Sequence, residues 1–301
     1  METTPHTHAW ADWLQTGDPR ALIRHYETFQ RSLLGTTPRR DLVDWPPGER
    51  DGFVMVPEDN SVVAAFHVRT PQIMAEIARL AGKPQDAESY RAAARKAHAD
   101  YLRDYYLPDL KLFRDATTTL HTSLHANALP LALDLAPPEA VSTIARHLES
   151  KGMACSVYFA HYLLEALAKA GRSDLALSLM LAENDRSWRT MLDFGATMTM
   201  EAWSPSAKPN LDLNHAWATA PLHFIARRLL GVCAAVPGWR SIELRPCLDT
   251  FRFLDAQVPT PRGPVRLTLR NQRLSLTLPV PATLHWRGKV YALGAGEHAF
   301  D

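Results

Sequence analysis

The sequence has few cysteines, no long apolar run and almost no net charge. Its 301 residues include only three cysteines, Cys155, Cys233 and Cys247, which cannot all pair and show no metal-ligand spacing. We therefore expect buried free thiols, as in a reducing compartment. The lack of any run of about 18 apolar residues excludes a predicted membrane span. The N-terminus lacks the basic start and apolar core of a secretion signal, so we expect a cytoplasmic chain.

The charge balance and the absent motifs exclude several classes of function. With 33 Lys and Arg against 32 Asp and Glu, neither nucleic acid nor an anionic membrane is an expected partner. No serine nucleophile occurs in a GxSxG motif, and no GxGxxG follows a predicted strand. His121 and His125 are one helical turn apart, but the Glu of HExxH is missing. We expect this pair to pack or hydrogen-bond, and we expect no metal.

Two apolar periods divide the chain. From His8 to about Val232 the period is helical, and the short links between roughly nine or ten predicted helices suggest an α/α bundle, toroid or superhelix. After Pro237 apolar and polar residues alternate between turn residues, which predicts a small antiparallel β-sandwich or part of one. We therefore predict a helical domain over residues 1–236 and a β-domain over 237–301.

Polar and aromatic residues of the helical part gather in the links between helices. These link residues are Asp44, Trp45, Glu49, Arg50, Asp51, Asp185, Arg186, Trp188, Glu201, Trp203, Asp212, His215 and Trp217. In an α/α toroid the links at one end converge on the mouth of a central cavity. We expect Glu201 to lie at the mouth or floor of the largest cavity of the helical domain.

These residue types suit a carbohydrate ligand. Indole faces pack against the apolar faces of sugar rings, while carboxylates, His and Arg bond hydroxyl groups. Glycoside hydrolysis needs two carboxyl groups, and inverting enzymes hold them roughly 6.5–9.5 Å apart so that a water fits between base and sugar. Taken singly, each Trp could equally belong to the core, and Glu201 could be a surface or capping carboxylate.

Several segments, in order, resemble those of one family. The longest is "GATMTMEAWSPSAKPNLDLNHAWATAPLHFIARRLLGV", and "LVDWPPGERDGF", "TTTLHTSLHANALPLAL", "SKGMACSVYFAHYLLEAL" and "DRSWRTML" precede it. "PGWRSIELRPCL" and "VPTPRGPVRL" follow. Together these segments, over about residues 8–285, are similar to those of bacterial α-L-rhamnosidases of glycoside hydrolase family seventy-eight.

The resemblance implies a fold, an activity and roles for particular residues. It implies an (α/α)6 barrel, N-terminally incomplete here, followed by a small antiparallel β-sandwich, and an inverting enzyme that releases L-rhamnose from plant-type glycosides or polysaccharides. By position in the family's motifs, Glu201 is the general base. The other residues that we assign to the sugar site are Trp45, Arg50, Asp51, Trp188, Trp203, His215 and Trp217. No cofactor is expected, because both proton transfers use carboxyl groups.

One departure from the family concerns the general acid. In the family it is a Glu of an acidic motif in the first barrel helices, and this chain shows no counterpart. We therefore expect an upstream segment or a separate chain to complete the barrel. The alternative is a non-catalytic or degenerate sugar-binding protein that keeps the cavity without the acid.

Overall fold

The computed structural model describes residues 5–34, 43–44, 47–249 and 251–301. Trp45, one of the predicted sugar-site residues, lies outside these ranges. The chain forms two compact units. One consists of Glu27–Pro221, and the other combines the N-terminal residues up to Tyr26 with Leu222–Asp301.

The described residues form eleven α-helices. They are α1 Pro5–Thr16, α2 Arg20–Arg24, α3 Tyr26–Leu34, α4 Ser61–Leu80, α5 Pro84–Tyr105, α6 Leu124–Ala132, α7 Val141–Lys151, α8 Ala160–Lys169, α9 Ser173–Leu181, α10 Trp188–Asp193 and α11 Ala220–Phe224. A π-helical turn, Ile225–Leu229, continues α11. No helix of the described ranges is both apolar and long enough to cross a membrane.

Capping residues explain several helix limits. The side chains of Asn60, Ser123 and Ser187 accept hydrogen bonds from backbone N–H groups in the first turns of α4, α6 and α10. These N–H groups have no partner within their own helix, so a capping oxygen stabilises each start. Helix α7 ends at Gly152, whose φ of 61° is a conformation that glycine adopts without strain.

Helix α6 is the centre of the first unit. Each of its nine residues is buried, and it packs against α4, α7 and α8. Helices α4 and α5 pack together and are joined by only three residues, 81–83. Longer links precede α4, α6, α8 and α10, and another joins α10 to α11. These long links carry the residues that the sequence marked as candidates.

The strands lie mainly after the helices. They are β1 Tyr106–Leu107, β2 Leu112–Phe113, β3 Val232–Ala234, β4 Ile242–Leu244, β5 Phe253–Val258, β6 Val265–Arg270, β7 Arg273–Leu278, β8 Ala282–Trp286, β9 Lys289–Leu293 and β10 Gly296–Phe300. Strands β1 and β2 form a small hairpin in the α5–α6 link. The other eight form two four-stranded sheets, in the orders β10-β7-β6-β5 and β3-β4-β8-β9.

The two sheets share one hydrophobic core. Alternate residues of β6, such as Val265, Leu267 and Leu269, are buried, and residues of the second sheet join the same cluster. This is the sandwich arrangement that the period of two indicates. Within this unit the indole Nε1 of Trp239 donates to Oε1 of Gln15 at 2.8 Å, so α1 belongs to the same packed body.

The structure confirms the predicted fold class, a helical part followed by a small, mostly antiparallel β-region. Two details differ from the sequence expectation. The first strand of the sandwich is Val232–Ala234, ahead of Pro237, and β4 pairs with β8 in parallel, with Ile242 opposite Ala282. The domain limits 1–236 and 237–301 stay a prediction about which parts fold independently.

Candidate active site

Hydrogen bonds join the α3–α4 link to the α5–α6 link. Oδ2 of Asp115 accepts the backbone N–H of Val54 at 2.8 Å, and Oδ2 of Asp51 accepts the N–H of Leu124, the first residue of α6, also at 2.8 Å. Lys151 lies 3.0 Å from the same oxygen of Asp51. Asp51 therefore holds two elements together, and its predicted contact with a sugar stays a prediction.

A buried carboxylate, Asp44, connects the α3–α4 link to α6 and to the α7–α8 link. Its side chain is fully buried and accepts hydrogen bonds from the N–H and the hydroxyl of Ser156, and its Oδ2 lies 2.8 Å from Nε2 of His125. The guanidinium of Arg50 donates from Nε to the carbonyl oxygen of Asp44 at 2.7 Å. Burial of a charge requires such donors, so this cluster fixes the link that carries Arg50.

Two indoles, one at the start of α10 and one in the α10–α11 link, pack against one another. Trp203 is 1% exposed and donates from Nε1 to the carbonyl oxygen of Cys155 at 2.7 Å. Its ring meets that of Trp188 edge to face, with centroids 5.0 Å apart, and Nε1 of Trp188 donates to the carbonyl of Ala218 at 2.6 Å. Trp203 has no ring face open to a ligand in this structure, so it acts here by fixing Trp188.

Trp217 has the opposite environment. It is 44% exposed and lies in the one-turn 3-10 helix Ala216–Ala218, whose N-cap is His215. Its backbone N–H donates to Nδ1 of His215 at 3.3 Å, and the two rings are 4.4 Å apart. Tyr158 of the α7–α8 link meets the same indole edge to face at 5.5 Å. The structure thus brings the two predicted residues together and leaves part of the indole open.

Glu201 is brought beside this pair by backbone pairing. The N–H of Glu201 donates to the carbonyl of Asp212 at 2.9 Å, and that of His215 donates to the carbonyl of Thr199 at 2.8 Å. The Glu201 carboxylate forms an ion pair through Oε2 with Lys208. The Lys208 hydrogen bond lowers the pKa of Glu201 against the effect of its partial burial, and the Asp212 N–H and the charges of Lys208 and His215 lower it further.

Glu49 is a second unusual carboxyl group. It is 3% exposed, and its Oε2 has no hydrogen-bond partner among the described residues. Burial raises the pKa of Glu49 to about 7; the charges of Asp44 and Asp185 act in the same direction, and that of Arg186 opposes them. Glu49 is therefore near the DRSW segment, and it exchanges a proton in the neutral range.

Two site features have no counterpart in the sequence expectations. Lys208 lies in the irregular stretch between Trp203 and Asp212, where no periodicity indicates which way its side chain points.

A cavity of about 300 Å³ opens between α4 and α5, over residues from Gln72 to His98, and Glu201 is not among the residues that line it. The position of Glu201 in the largest cavity of the helical domain stays a prediction. Among the described residues, no three His, Cys, Asp or Glu side chains are placed to hold a metal ion.

Fold and site together define a domain of helical hairpins whose long links gather carboxylates, imidazole and indoles. The sequence model of the bacterial alpha-L-rhamnosidase six-hairpin glycosidase domain matches residues 3–229. The chain belongs to this family.

Individual proteins are similar to this chain in sequence or in fold. An alpha-L-rhamnosidase from Alteromonas sp. (strain LOR) is 24% identical over 302 residues, which cover 90% of this chain and 32% of that protein. The crystal structure of native alpha-L-rhamnosidase from Aspergillus terreus superposes with a TM-score of 0.80 at 18% identity, over 98% of this chain and 38% of that one. The L-rhamnose complex of Streptomyces avermitilis alpha-L-rhamnosidase gives 0.79 at 19%, over 97% and 32%. The chain thus spans 32–38% of these relatives.

Proposed function

We propose that this chain carries the base-bearing part of the sugar site of an inverting α-L-rhamnosidase, which releases terminal L-rhamnose from plant-type glycosides or polysaccharides. The observation that carries the proposal is the arrangement around Glu201. A carboxylate held in its ionised form lies beside His215, which contacts the exposed indole of Trp217.

In this reaction Glu201 removes a proton from a water molecule as that water attacks the anomeric carbon. A general base must be ionised to accept the proton, and a glutamate with a lowered pKa, as Glu201 has, is ionised at neutral pH. A second carboxyl group, placed about 6.5–9.5 Å away in inverting enzymes, protonates the departing oxygen. Both proton transfers use carboxyl groups, so the reaction needs no cofactor.

The sugar contacts follow from exposure and position. Trp217 and Trp188 offer ring faces or edges, and His215 and Arg50 offer polar groups. Trp203, closed to solvent, holds Trp188 in place. Trp45 and Asp51 complete the proposed set.

The general acid comes, in this proposal, from an upstream segment or a separate chain that completes the barrel. Exposed apolar side chains in α10 and in the α10–α11 link, which also carries Glu201, support such a neighbour: Leu192 is 71% exposed, Phe194 53%, Met198 52% and Leu213 50%. Exposed apolar surface of this kind is typical of sites that bind another chain or segment.

A second candidate function is sugar binding without catalysis. The ion pair between Lys208 and Glu201 favours it, because a carboxylate already neutralised by a lysine is a weaker proton acceptor. The proposed compartment is the cytoplasm, and the free cysteines support a reducing environment, although only Cys155 is buried as expected, while Cys233 is half-buried and Cys247 is exposed.

The test compares this chain alone with the chain joined to its upstream segment, in cis or as a separate chain, using an aryl α-L-rhamnoside and a natural rhamnoside. We expect no detectable hydrolysis of the natural substrate by the chain alone and turnover by the completed protein. In the completed protein Glu201→Gln lowers kcat by roughly 10²–10⁴, while the exposed control Glu139→Gln leaves it unchanged. Turnover unaffected by Glu201→Gln would show the base assignment to be wrong. If the completed protein binds L-rhamnose but hydrolyses neither substrate, the second candidate is supported.

A further inference from the structure

A buried aspartate and a partly exposed histidine form a pair that the proposed reaction does not use. Asp115 has a fully buried side chain, and its Oδ2 lies 2.6 Å from Nδ1 of His121. The carboxylate also accepts the backbone N–H groups of Val54 at 2.8 Å and Ser123 at 3.0 Å. Because every one of these contacts needs an acceptor at Asp115, the imidazole donates through Nδ1–H.

This hydrogen bond fixes the tautomer of His121. A neutral imidazole with its proton on Nδ1 has a lone pair on Nε2, which then accepts a hydrogen bond from another group. The side chain of His121 is 37% exposed, so solvent and ligands can reach it. In the neutral form the carboxylate therefore orients an accessible acceptor, in the way that a buried aspartate orients the imidazole of a catalytic dyad.

His121 lies against the link that carries two proposed sugar contacts. A Cβ placed on Gly52 would be 3.9 Å from Nε2 of His121, so this nitrogen lies next to the backbone that follows Arg50 and Asp51. Lys151 extends to Asp51. A small number of placed polar groups of this kind orients a bound ligand.

We propose that His121 is a further ligand contact of the sugar site, with Nε2 accepting a hydrogen bond from a hydroxyl group of the bound saccharide and Asp115 acting as its positioning residue. This inference rests on the proposed function, because it names one more contact of the same site. A metal role is disfavoured by the lack of a third ligand among the described residues.

Two substitutions of His121 distinguish its proposed contact with the ligand from its hydrogen bond to Asp115. In His121→Asn the amide takes the place of Nδ1, so it keeps the bond to Asp115 and loses the outward acceptor. In His121→Gln the longer side chain places an amide oxygen near the position of Nε2. The probe is L-rhamnose, titrated into the ¹⁵N-labelled chain while the imidazole and indole signals are followed by NMR.

We expect the wild-type spectrum to show the Nδ1–H tautomer and the Nε2 signal of His121 to move on addition of L-rhamnose. His121→Asn should weaken binding about 3- to 10-fold, the value of one neutral hydrogen bond, with an unchanged melting temperature. His121→Gln should retain most of the affinity. Asp115→Asn should shift the imidazole towards the Nε2–H tautomer and weaken binding.

The outcomes distinguish this inference from the proposed function. If L-rhamnose moves the indole signals of Trp188 or Trp217 and leaves those of His121 in place, the inference is wrong and the sugar site stands. Equal losses of affinity in both His121 variants, together with a lower melting temperature, assign a structural role and also overturn it. If no signal moves at any concentration, in the chain alone and in the chain joined to its upstream segment, the proposed function fails and this inference fails with it.

Discussion

Lys208 and the backbone N–H of Asp212 bind the same carboxylate oxygen of Glu201, Oε2. Both side chains of the ion pair are mostly buried, with 18% of Lys208 and 13% of Glu201 exposed. Because these two donors use Oε2, the proposed reaction leaves Oε1 to contact the attacking water. The pair also sets the affinity of Glu201 for a proton, which is the property that a general base needs tuned.

Replacing Lys208 by Met should raise the pKa of Glu201. The hydrogen bond and positive charge of Lys208 stabilise the ionised carboxylate, and Met retains the length of the side chain without either. The pKa is measured from the carboxyl ¹³C signal of Glu201 against pH. The control is Lys151→Met, which removes an ion pair with Asp51 and should leave Glu201 unchanged. An unaltered Glu201 titration in Lys208→Met would contradict the ion pair.

Glu49 should make stability depend on pH. Its pKa is about 7 in the folded chain and 4.5 when unfolded, so the folded state holds the proton more tightly. The stabilisation is therefore fully present below pH 4.5 and is lost as the pH rises through 7. The shift corresponds to about 3 kcal/mol. Urea unfolding of the wild type and of Glu49→Gln at pH 5 and pH 8 measures this loss of stabilisation.

The prediction concerns the difference in free energy of unfolding between the wild type and Glu49→Gln, because other groups also titrate between pH 5 and pH 8. The free energy of unfolding of Glu49→Gln should fall less than that of the wild type between the two pH values. Glu139→Gln, a substitution of an exposed carboxyl, should follow the wild type. Parallel curves for wild type and Glu49→Gln would show that Glu49 is already ionised at pH 5.

The sequence predicted the elements well and the side-chain environments poorly. Helical and strand periods mark which face is buried, so α4 and β6 could be read directly. Trp203 and Trp217 lie in one irregular link, where no period shows that the first is buried and the second exposed.

Contacts between links that are far apart in the sequence could not be predicted either. Asp44 binds Ser156 across 112 positions of sequence, and no single sequence contains that pairing. The burial of Glu49 and the partner of Glu201 depend on such contacts. The parallel pairing of β4 and β8 could not be predicted for a related reason. Alternation of apolar and polar residues shows which side chains of a strand face the core, but it does not show which strand is its neighbour.

Asp44→Asn should destabilise the helical unit by about 3 kcal/mol, because removing a buried charge leaves its donors without an ionised acceptor. An Asn can accept through one oxygen only, whereas both oxygens of Asp44 are used by Ser156 and His125. Chemical unfolding followed by circular dichroism measures the loss. The control is Asp109→Asn at an exposed position. A change within about 0.5 kcal/mol, the range of ordinary surface substitutions, would show that the cluster adds little.

The last prediction separates the two indoles of the α10–α11 link. Trp203→Ala should cost about 3–5 kcal/mol of stability, because it removes a fully buried ring and its hydrogen bond to Cys155. Trp217→Ala should cost about 1 kcal/mol or less, because 44% of that residue is already in solvent.

Binding of L-rhamnose should rank the same two variants in the opposite order. Trp217→Ala should weaken binding about 2- to 10-fold, as expected for the loss of one stacking surface, and lower the melting temperature by about 4 °C at most. Trp203→Ala should affect binding only to the extent that it unfolds the chain or releases Trp188, so its affinity is measured well below its melting temperature. If Trp217→Ala binds L-rhamnose as tightly as the wild type, its exposed indole is not part of the sugar site, and the assignment of this link rests on Glu201 and His215 alone.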